Sequence, residues 1–368
     1  MSSAIVRRVR LKARPPPIPD TFAAASTPLS GLPHRFEYGR HGIPSTVAAI
    51  FVSAQGTKKD LPLKAKKKTL LLVNPKARRG QESLDVVVGR LHLRGMDVTV
   101  EPFSALPEIA RDIVRLREEA DLIVICGGDG SIASGAMAVM ESGLPFGIIP
   151  LGTANDLART IGIPMDLAGA ADVIADGHTR RIDVGSVNGH AFFNVASIGL
   201  SADLAQGIEP GLKKRFGRFG YALAAARVLK RAKPFRATIR AGGDTTQVRS
   251  FQIAVGNGRH YGGGNVVRED AEIDDGTLDL YSLEMGNVLK LATMLRSFRS
   301  GTHGAWNEVR TARATEFDIE TEKPMPVNTD GELVTETPAH FKVHPGAVQV
   351  FAPKAAPELP ARPRLVHA

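Results

Sequence analysis

The stretch Val124-Ile-Cys-Gly-Gly-Asp-Gly-Ser131 decides the fold of this chain. It ends an unbroken apolar run, Leu122 to Cys126, that stops at two glycines. Such a run is typical of a buried parallel strand, and ligands of open α/β folds bind where these strands end. Because glycine has no Cβ, backbone N–H groups at this turn can approach phosphate oxygens closely. The stretch therefore predicts a phosphate-binding turn at the carboxyl edge of a parallel sheet, with the Asp129 carboxylate inside it.

A second strand-like run, Phe146 to Pro150, leads into another glycine turn, Gly152-Thr-Ala-Asn-Asp156. Two strand ends of this kind, side by side, indicate a nucleotide site. The helix expected from Ile132 would add the positive end of its dipole to phosphate binding. The chain has no G-x-x-x-x-G-K-[ST], which excludes a P-loop enzyme. It also has no G-x-G-x-x-G followed by a ribose-binding acid, which disfavours a dehydrogenase.

Strands and helices are predicted to alternate around these turns. The apolar patterns predict strands at 69–73, 98–100, 122–126 and 146–150, and helices at 83–93, 107–118, 132–141 and 167–176. This alternation indicates a doubly wound parallel sheet with right-handed crossovers. After Arg181 the pattern changes to short β-rich runs separated by turns, at 182–187, 191–195, 237–240, 251–255, 278–283, 316–320 and 340–343, with a helix at 289–299. The expected fold class is α/β plus all-β, with a C-terminal antiparallel β-rich domain.

Composition and charge set the domain boundaries. Residues 1–68 hold 13 Lys and Arg against 3 Asp and Glu, whereas the other 300 residues hold 34 against 35. We expect a basic, flexible extension over 1–68, a nucleotide domain over 69–180 and a β-rich domain over 181–344. Residues 345–352 are a candidate strand of the first domain, and 353–368 are expected to be a disordered tail.

Composition also excludes several classes of protein. A nucleic-acid enzyme is expected to carry excess positive charge on its folded body, and this body is near neutral, so no nucleic-acid partner is predicted. No apolar run reaches 18 residues, so no transmembrane helix is expected. The single cysteine, Cys126, excludes an internal disulfide and a thiolate metal cluster. These features are typical of a cytoplasmic enzyme.

Six blocks of the sequence resemble the diacylglycerol kinase, sphingosine kinase and bacterial YegS-like lipid kinase superfamily, in the order of that family. They are Asn74–Gly80, Gly127–Ser131, Gly152–Asp156, Gly262–Gly264, Asp274–Leu278 and Asp330–Glu332. The resemblance implies a nucleotide domain like that of NAD kinases and diacylglycerol kinases. It also implies transfer of the γ-phosphate of ATP to the hydroxyl of a membrane lipid, of the diacylglycerol or the sphingoid or ceramide type. The alternatives are an NAD kinase-type phosphotransferase and a non-catalytic, nucleotide-regulated lipid-binding protein.

The resemblance implies a set of nucleotide-binding residues at the strand ends. These are Asn74, Pro75, Lys76, Ser104, Gly127, Gly128, Asp129, Gly130, Ser131, Gly152, Thr153, Asn155 and Asp156. At Ser131 the family usually has threonine. The implied catalytic residues are Asp129 and one carboxylate of the Asp330-Gly-Glu332 block, which would deprotonate the acceptor hydroxyl. Asp330 and Glu332 both stay open for that role, and an ordinary hairpin turn is the alternative for the block.

The acidic turn around Asp275 predicts a second, structural cation site. The carboxylates of Glu272 and Asp275, with a backbone carbonyl such as that of Thr277, are ligands that suit Mg²⁺. In the family the matching turn holds a structural magnesium, while the catalytic Mg²⁺ would arrive with ATP near Asp129. A solvated hairpin without metal is the alternative.

One span of the second half suggests a membrane surface as partner. No acidic residue occurs from Pro210 to Gly243, and Leu212, Phe216, Phe219 and Leu223 recur at the spacing of one helical face. A basic amphipathic helix of this kind binds anionic bilayers peripherally. The alternative is a helix packed on the β-rich domain with a solvated basic side. Monomer and homodimer both stay open.

Overall fold

A computed structural model describes residues 66–73, 80–202, 232–268, 270–286 and 297–354. Its first half shows the expected alternation and, with the second half, confirms the predicted fold class. The elements are β1 (Lys67–Val73), α1 (Gly80–Leu93), β2 (Met96–Pro102), α2 (Leu106–Leu116), β3 (Leu122–Gly127), α3 (Asp129–Ser142), β4 (Phe146–Pro150), α4 (Asp156–Ile161) and α5 (Leu167–Asp176). In the part described, no helix is long and apolar enough to cross a bilayer.

The first four strands form a parallel array in the order β2-β1-β3-β4. Cys126 pairs with Val73 on one side and with Ile149 on the other, so the carboxyl ends of β1, β3 and β4 are level. Adjacent residues of β3 face opposite helical layers, as the pleat of a strand requires. A Cβ on Gly135 of α3 would meet the side chain of Ile125, and one on Gly147 would meet both Ile174 of α5 and Val124. This double covering explains why the whole of β3 is buried.

The second half is mostly antiparallel. Its strands are β5 (Thr179–Val187), β6 (His190–Phe192), β7 (Val195–Gly199), β8 (Phe235–Ala241), β9 (Asp244–Ser250), β10 (Gln252–Gly256), β11 (His260–Tyr261), β12 (Asn265–Val266), β13 (Leu278–Leu283), β14 (Val309–Ala314), β15 (Glu316–Thr321), β16 (Pro326–Thr329), β17 (Glu332–Glu336) and β18 (Ala339–Phe351). A six-stranded sheet has the order β14-β13-β10-β7-β16-β17. Its inner face shares one buried apolar cluster with β8, β15 and β18, so two sheets pack face to face around that core.

The strand β18 joins the two halves into one mixed sheet. It pairs in parallel with β4 at Val350 and Phe146, and antiparallel with β5 and β15. The path β2-β1-β3-β4-β18-β15-β8-β9 therefore runs from the parallel array into the antiparallel region without a break. Residues 345–352 lie within or directly after this strand, beside β4.

Several local features differ from the sequence-based expectation, among them the strands β9, β11, β12, β14, β16 and β17, which were not predicted. The single strand predicted over 191–195 is wrong, because β6 ends at Phe192 and β7 begins at Val195. The backbone N–H groups at this break turn to the side chain of Asp330 instead of to a neighbouring strand. The short helix α4 was not expected from the sequence. The helix predicted at 289–299 falls largely outside the described residues, as do the extension up to residue 65 and the tail from residue 355.

Candidate nucleotide and acceptor site

The two glycine turns lie against each other at the carboxyl edge of the parallel array. A Cβ on Gly128 would come 2.9 Å from the Cα of Gly152. The N–H of Leu151 donates to the carbonyl of Gly127 at 2.9 Å, which extends the pairing of β3 and β4 into the turns. A Cβ on Gly127 would lie 2.5 Å from the Cβ of Ser131. Glycine is therefore required at Gly128 and Gly152 by the close approach of their backbones, and at Gly127 by the side chain of Ser131 in the first turn of α3.

Asp129 fastens the second turn to the first. It is the first residue of α3, and its two carboxylate oxygens accept the N–H groups of Asn155 at 2.8 Å and Asp156 at 2.6 Å. Asn155 has a left-handed φ of 51°, and its side-chain amide closes the turn by bonding the N–H and the carbonyl of Gly152 at 2.9 and 3.0 Å. The carboxylate predicted for chemistry thus shapes the turn that surrounds it.

The side chain of Asp156 binds the second half of the chain. Its oxygens accept the N–H groups of Gly263 at 2.9 Å and Gly264 at 3.1 Å, and the residue is only 4% exposed. Burial raises the pKa of Asp156, the N–H of Gly263 opposes this shift, and the charge of Asp129 adds to it. The structure thus places Asp156 next to the predicted phosphate-binding turn, and its carboxylate accepts the N–H groups of the glycine run 262–264.

The Asp330-Gly-Glu332 block forms the hairpin turn between β16 and β17. The carboxylate of Asp330 accepts N–H groups from Phe193 at 2.8 Å, Asn194 at 3.1 Å and Val195 at 2.9 Å. Burial raises the pKa of Asp330 to about 6, the backbone N–H groups oppose the shift, and Asp129 raises it further. The residue that Asp330 holds, Phe193, stacks on Phe146 of β4 with ring centroids 6.1 Å apart, so this hairpin turn is anchored against the parallel array.

Glu332 differs from Asp330 in its surroundings. It is the first residue of β17, its side chain is exposed, and within the described residues no hydrogen bond or ion pair occupies its carboxylate. Of the two carboxylates that the sequence left open, one is fully engaged with backbone and the other is free to meet a substrate.

The acidic turn uses its central carboxylate internally. Asp275 accepts hydrogen bonds from the N–H of Thr277 at 2.9 Å and from its hydroxyl at 2.6 Å. The second oxygen of Asp275 lies 3.4 Å from Arg313, and Glu272 is exposed. Over the ranges that the structure covers, no group of three or more His, Cys, Asp and Glu side chains could hold a metal ion. These side chains alone do not make a coordination set for Mg²⁺, so the metal stays a prediction.

The remaining predicted nucleotide residues have varied surroundings. The N–H of Ser104 donates to Glu108 at 2.6 Å, which caps the start of α2 and leaves the exposed serine hydroxyl available. Thr153 is exposed in the second turn, and Ser131 is buried in the first turn of α3. A Cβ on Gly130 would touch only Leu106, at 3.8 Å. Asn74, Pro75 and Lys76 lie outside the described residues.

Sequence reasoning missed Asp183. This residue of β5 is 2% exposed and accepts the N–H of Gly276 in the acidic turn and the N–H of Gly346 in β18, each at 2.7 Å. Asn257 adds to this junction by donating to the carbonyls of Asp183 and Phe193, both at 3.0 Å. A charged residue inside an otherwise apolar strand was the available signal, because buried carboxylates need partners.

Known proteins share both halves of this arrangement. Residues 68–187 match the diacylglycerol kinase catalytic domain, and residues 194–352 match the YegS C-terminal NAD kinase beta sandwich-like domain. A diacylglycerol kinase of Mycobacterium tuberculosis is 30% identical over 298 residues, which cover 78% of this chain and 96% of that protein. One from Staphylococcus epidermidis is 30% identical over 241 residues, 65% of this chain and 76% of its own length. A crystal structure of a diacylglycerol kinase from Bacillus anthracis strain Sterne has a TM-score of 0.67 at 28% identity, covering 78% of this chain and 98% of that one. The chain therefore belongs to the diacylglycerol kinase family of lipid kinases.

Proposed function

We propose that this protein is an ATP-dependent kinase that transfers the γ-phosphate of ATP to the hydroxyl of a membrane lipid. The observation that carries the proposal is the position of Asp129. Its carboxylate joins two glycine turns at the end of β4. The Asp-Gly-Glu turn is anchored against the same array, because Asp330 holds Phe193, whose ring stacks on Phe146 of β4. Phosphoryl transfer depends chiefly on alignment and charge neutralisation, and this arrangement brings donor and acceptor turns together.

The phosphates of ATP would lie over the first glycine turn. The 14-residue helix α3 begins at Asp129, so its free N–H groups and positive dipole end face this position. The space beside Gly130 lets phosphate oxygens approach the backbone.

The carboxylates around the turn favour a divalent cation with the nucleotide. Asp129 raises the pKa of both Asp156 and Asp330, which marks a shared negative potential. This potential would repel bare phosphates, whereas Mg²⁺ bound to ATP neutralises their charge. The ATP–Mg²⁺ complex would bind beside Asp129, and the residues around Asp129 would fix the position of the phosphates.

Glu332 is the proposed general base. Its side chain is exposed and has no hydrogen bond or ion pair in the described part of the chain, whereas the carboxylate of Asp330 is held by three backbone N–H groups. A base must approach the hydroxyl proton within hydrogen-bonding distance, which a free side chain at the hairpin tip can do. Asp330 would act by holding the hairpin so that Glu332 points at the acceptor.

A lipid acceptor is supported by the relatives, because proteins similar to both halves of this chain are named diacylglycerol kinases. We further propose that the acid-free span from Pro210 to Gly243 brings the enzyme to anionic membrane. Most of this span, including Lys213, Lys214 and Arg215, lies outside the described residues. Binding to vesicles should rise with the fraction of anionic lipid and fall with salt, and charge reversal at these three positions should weaken it. If vesicle binding changes neither with salt nor with charge reversal at these positions, this span does not bind the membrane.

The experiment incubates the purified full chain with labelled ATP, Mg²⁺ and a panel of acceptors: diacylglycerol, sphingosine, ceramide and NAD. We expect label in one lipid class, and label that accumulates far more slowly when Glu332 is replaced by Gln. Label in NAD alone would support an NAD kinase. Measurable ATP binding without any labelled product would support the non-catalytic lipid-binding protein.

A further inference from the structure

Two side chains of α4 accept hydrogen bonds from the hairpin formed by β11 and β12. Asp156 and Thr160 are four residues apart, so they lie on the same face of the helix. Asp156 accepts the N–H groups of Gly263 and Gly264, and the hydroxyl of Thr160 accepts the backbone N–H of His260 at 3.2 Å. The Thr160 oxygen also lies 3.2 Å from Nδ1 of His260. Contacts at both ends of the hairpin therefore come from one turn of helix.

The glycine run of this hairpin is built to present N–H groups to a carboxylate. The backbone of this run is left-handed, with φ values of 56°, 86° and 103° at Gly262, Gly263 and Gly264. Residues other than glycine rarely adopt this conformation. Two successive N–H groups point at the two oxygens of Asp156, which is 4% exposed. Because this carboxylate is buried and saturated by the hairpin, it is not available to a phosphate or its metal ion.

A continuous set of hydrogen bonds runs through this contact. The N–H of Asp156 donates to Asp129 in the phosphate turn, while its carboxylate holds the hairpin. In the hairpin, the hydroxyl of Tyr261 lies 2.9 Å from that of Tyr281 on β13, which accepts from Gln252 on β10 at 2.7 Å. Those strands belong to the sheet that also contains β16 and β17, between which lies the turn with the proposed base.

From this chain of contacts we infer that Asp156 is a positioning residue, which couples occupancy of the phosphate turn to the placement of the acceptor half through the hairpin 260–266. The kinetic part of this inference rests on the proposed function. Nucleotide binding fixes Asp129 and the backbone of residue 156, and the carboxylate then fixes the hairpin. Asp156, which the sequence alone would assign to the nucleotide, thus acts on the position of the lipid acceptor.

The test replaces Asp156 by Asn, which keeps the volume but removes one acceptor oxygen. Affinity for ATP–Mg²⁺ should stay within about twofold of the wild type, because the side chain does not face the nucleotide. Turnover with lipid should fall about 10- to 100-fold, since small misplacement of reacting groups costs rates of that order. Hydrogen–deuterium exchange of the peptide covering 260–266 should slow when ATP–Mg²⁺ binds the wild type, and this slowing should be lost in Asp156→Asn.

Two further variants complete the design. Asp166→Asn is the matched control, because Asp166 also accepts a backbone N–H, that of Gly169 at 2.7 Å, but caps α5 away from the hairpin. It should change neither exchange at 260–266 nor lipid turnover. Thr160→Val, which removes the other contact at constant shape, should act in the same direction as Asp156→Asn but more weakly, and it preserves the test if Asp156→Asn does not fold.

The outcomes are distinct. A tenfold loss of ATP affinity in Asp156→Asn would make Asp156 a nucleotide ligand and overturn the inference. Exchange at 260–266 that is indifferent to ATP–Mg²⁺ in the wild type would also overturn it. If the wild type phosphorylates no lipid, the proposed function fails, yet the exchange measurement with ATP–Mg²⁺ alone still decides the coupling.

Discussion

Gly128 and Gly152 lie back to back, since a Cβ on Gly152 would come 2.6 Å from the Cα of Gly128 and the reverse distance is 2.9 Å. Each glycine follows a different strand of the parallel array. Their contact brings the two glycine turns together more closely than any residue with a side chain would allow. A glycine-to-alanine substitution in these turns should therefore affect stability or nucleotide binding, depending on which atoms the new methyl group would meet.

Alanine at two neighbouring glycines should separate folding from nucleotide binding. Gly128→Ala should lower the free energy of unfolding by about 1–3 kcal/mol, because its methyl meets rigid backbone. Gly130→Ala should leave stability nearly unchanged, since its methyl would touch only Leu106 at 3.8 Å, but should weaken ATP binding about tenfold by occupying the phosphate approach. Urea denaturation and calorimetric titration measure the two effects. Gly89→Ala, in α1 with open space around it, is the control and should be neutral or slightly stabilising. Unchanged ATP affinity in Gly130→Ala would remove this turn from the nucleotide site.

Glu332 and Asp330 should respond differently to loss of charge. Glu332→Gln should lower kcat about 10²- to 10⁴-fold. Stability should change little, because the side chain is exposed and makes no hydrogen bond or ion pair with the residues that the structure describes. Glu336→Gln, at the other end of the same strand, is the matched control and should retain activity. Steady-state kinetics with the preferred lipid provide the measurement. Near-normal kcat in Glu332→Gln would return the role of base to Asp330.

Asp330 should make stability depend on pH in the direction opposite to a salt-bridged carboxylate. Burial raises its pKa from 3.8 to about 6, so the folded state holds a proton that the unfolded state has released between these values. Its stabilising contribution is therefore complete below pH 3.8 and is lost as the pH rises through about 6. The free energy of unfolding of the wild type relative to Asp330→Asn should fall by roughly 3 kcal/mol from pH 4 to pH 7. A difference that is constant or grows with pH would show that the three N–H groups outweigh burial.

Asp275→Ala should lower the melting temperature even in chelator, because Thr277 and Arg313 lose a partner. If the turn binds Mg²⁺ as the sequence predicts, a further loss should appear only in magnesium, through linkage between binding and folding. Asp274→Ala is the control, because Asp274 pairs with Arg180 on the surface and is not a predicted ligand. Thermal denaturation in both buffers measures the two parts. Equal loss in magnesium and in chelator would remove Asp275 from any metal site.

The glycine turns could be predicted from the sequence because their signal is local. An apolar run followed by glycines marks a strand end wherever it occurs, and β3 and β4 begin and end within one residue of the prediction. The partners of the acidic side chains were not predictable in this way. Asp156 accepts a hydrogen bond from Gly263, which is 107 residues away in the sequence, and Asp330 accepts one from Phe193, which is 137 residues away. No periodic pattern in the sequence encodes such pairs.

The same limit explains the error at residues 191–195. The β propensity of this run is continuous, yet Phe193 and Asn194 donate to Asp330 and interrupt the strand. It also explains why the two acids of the Asp-Gly-Glu block could not be told apart from the sequence. Both are carboxylates in a turn, and only the packing of the break between β6 and β7 shows that one of them is saturated.

The late position of β18 in the sequence leaves one edge of the parallel array unpaired during synthesis. On the ribosome β4 is complete at Pro150, but the strand that covers its edge begins only at Ala339. At about 5–20 residues per second, the edge of the parallel array would wait roughly 10–40 s for its neighbour. During that interval an apolar strand edge is open to pairing with other chains, so newly synthesised protein should be most prone to aggregation just before β18 emerges.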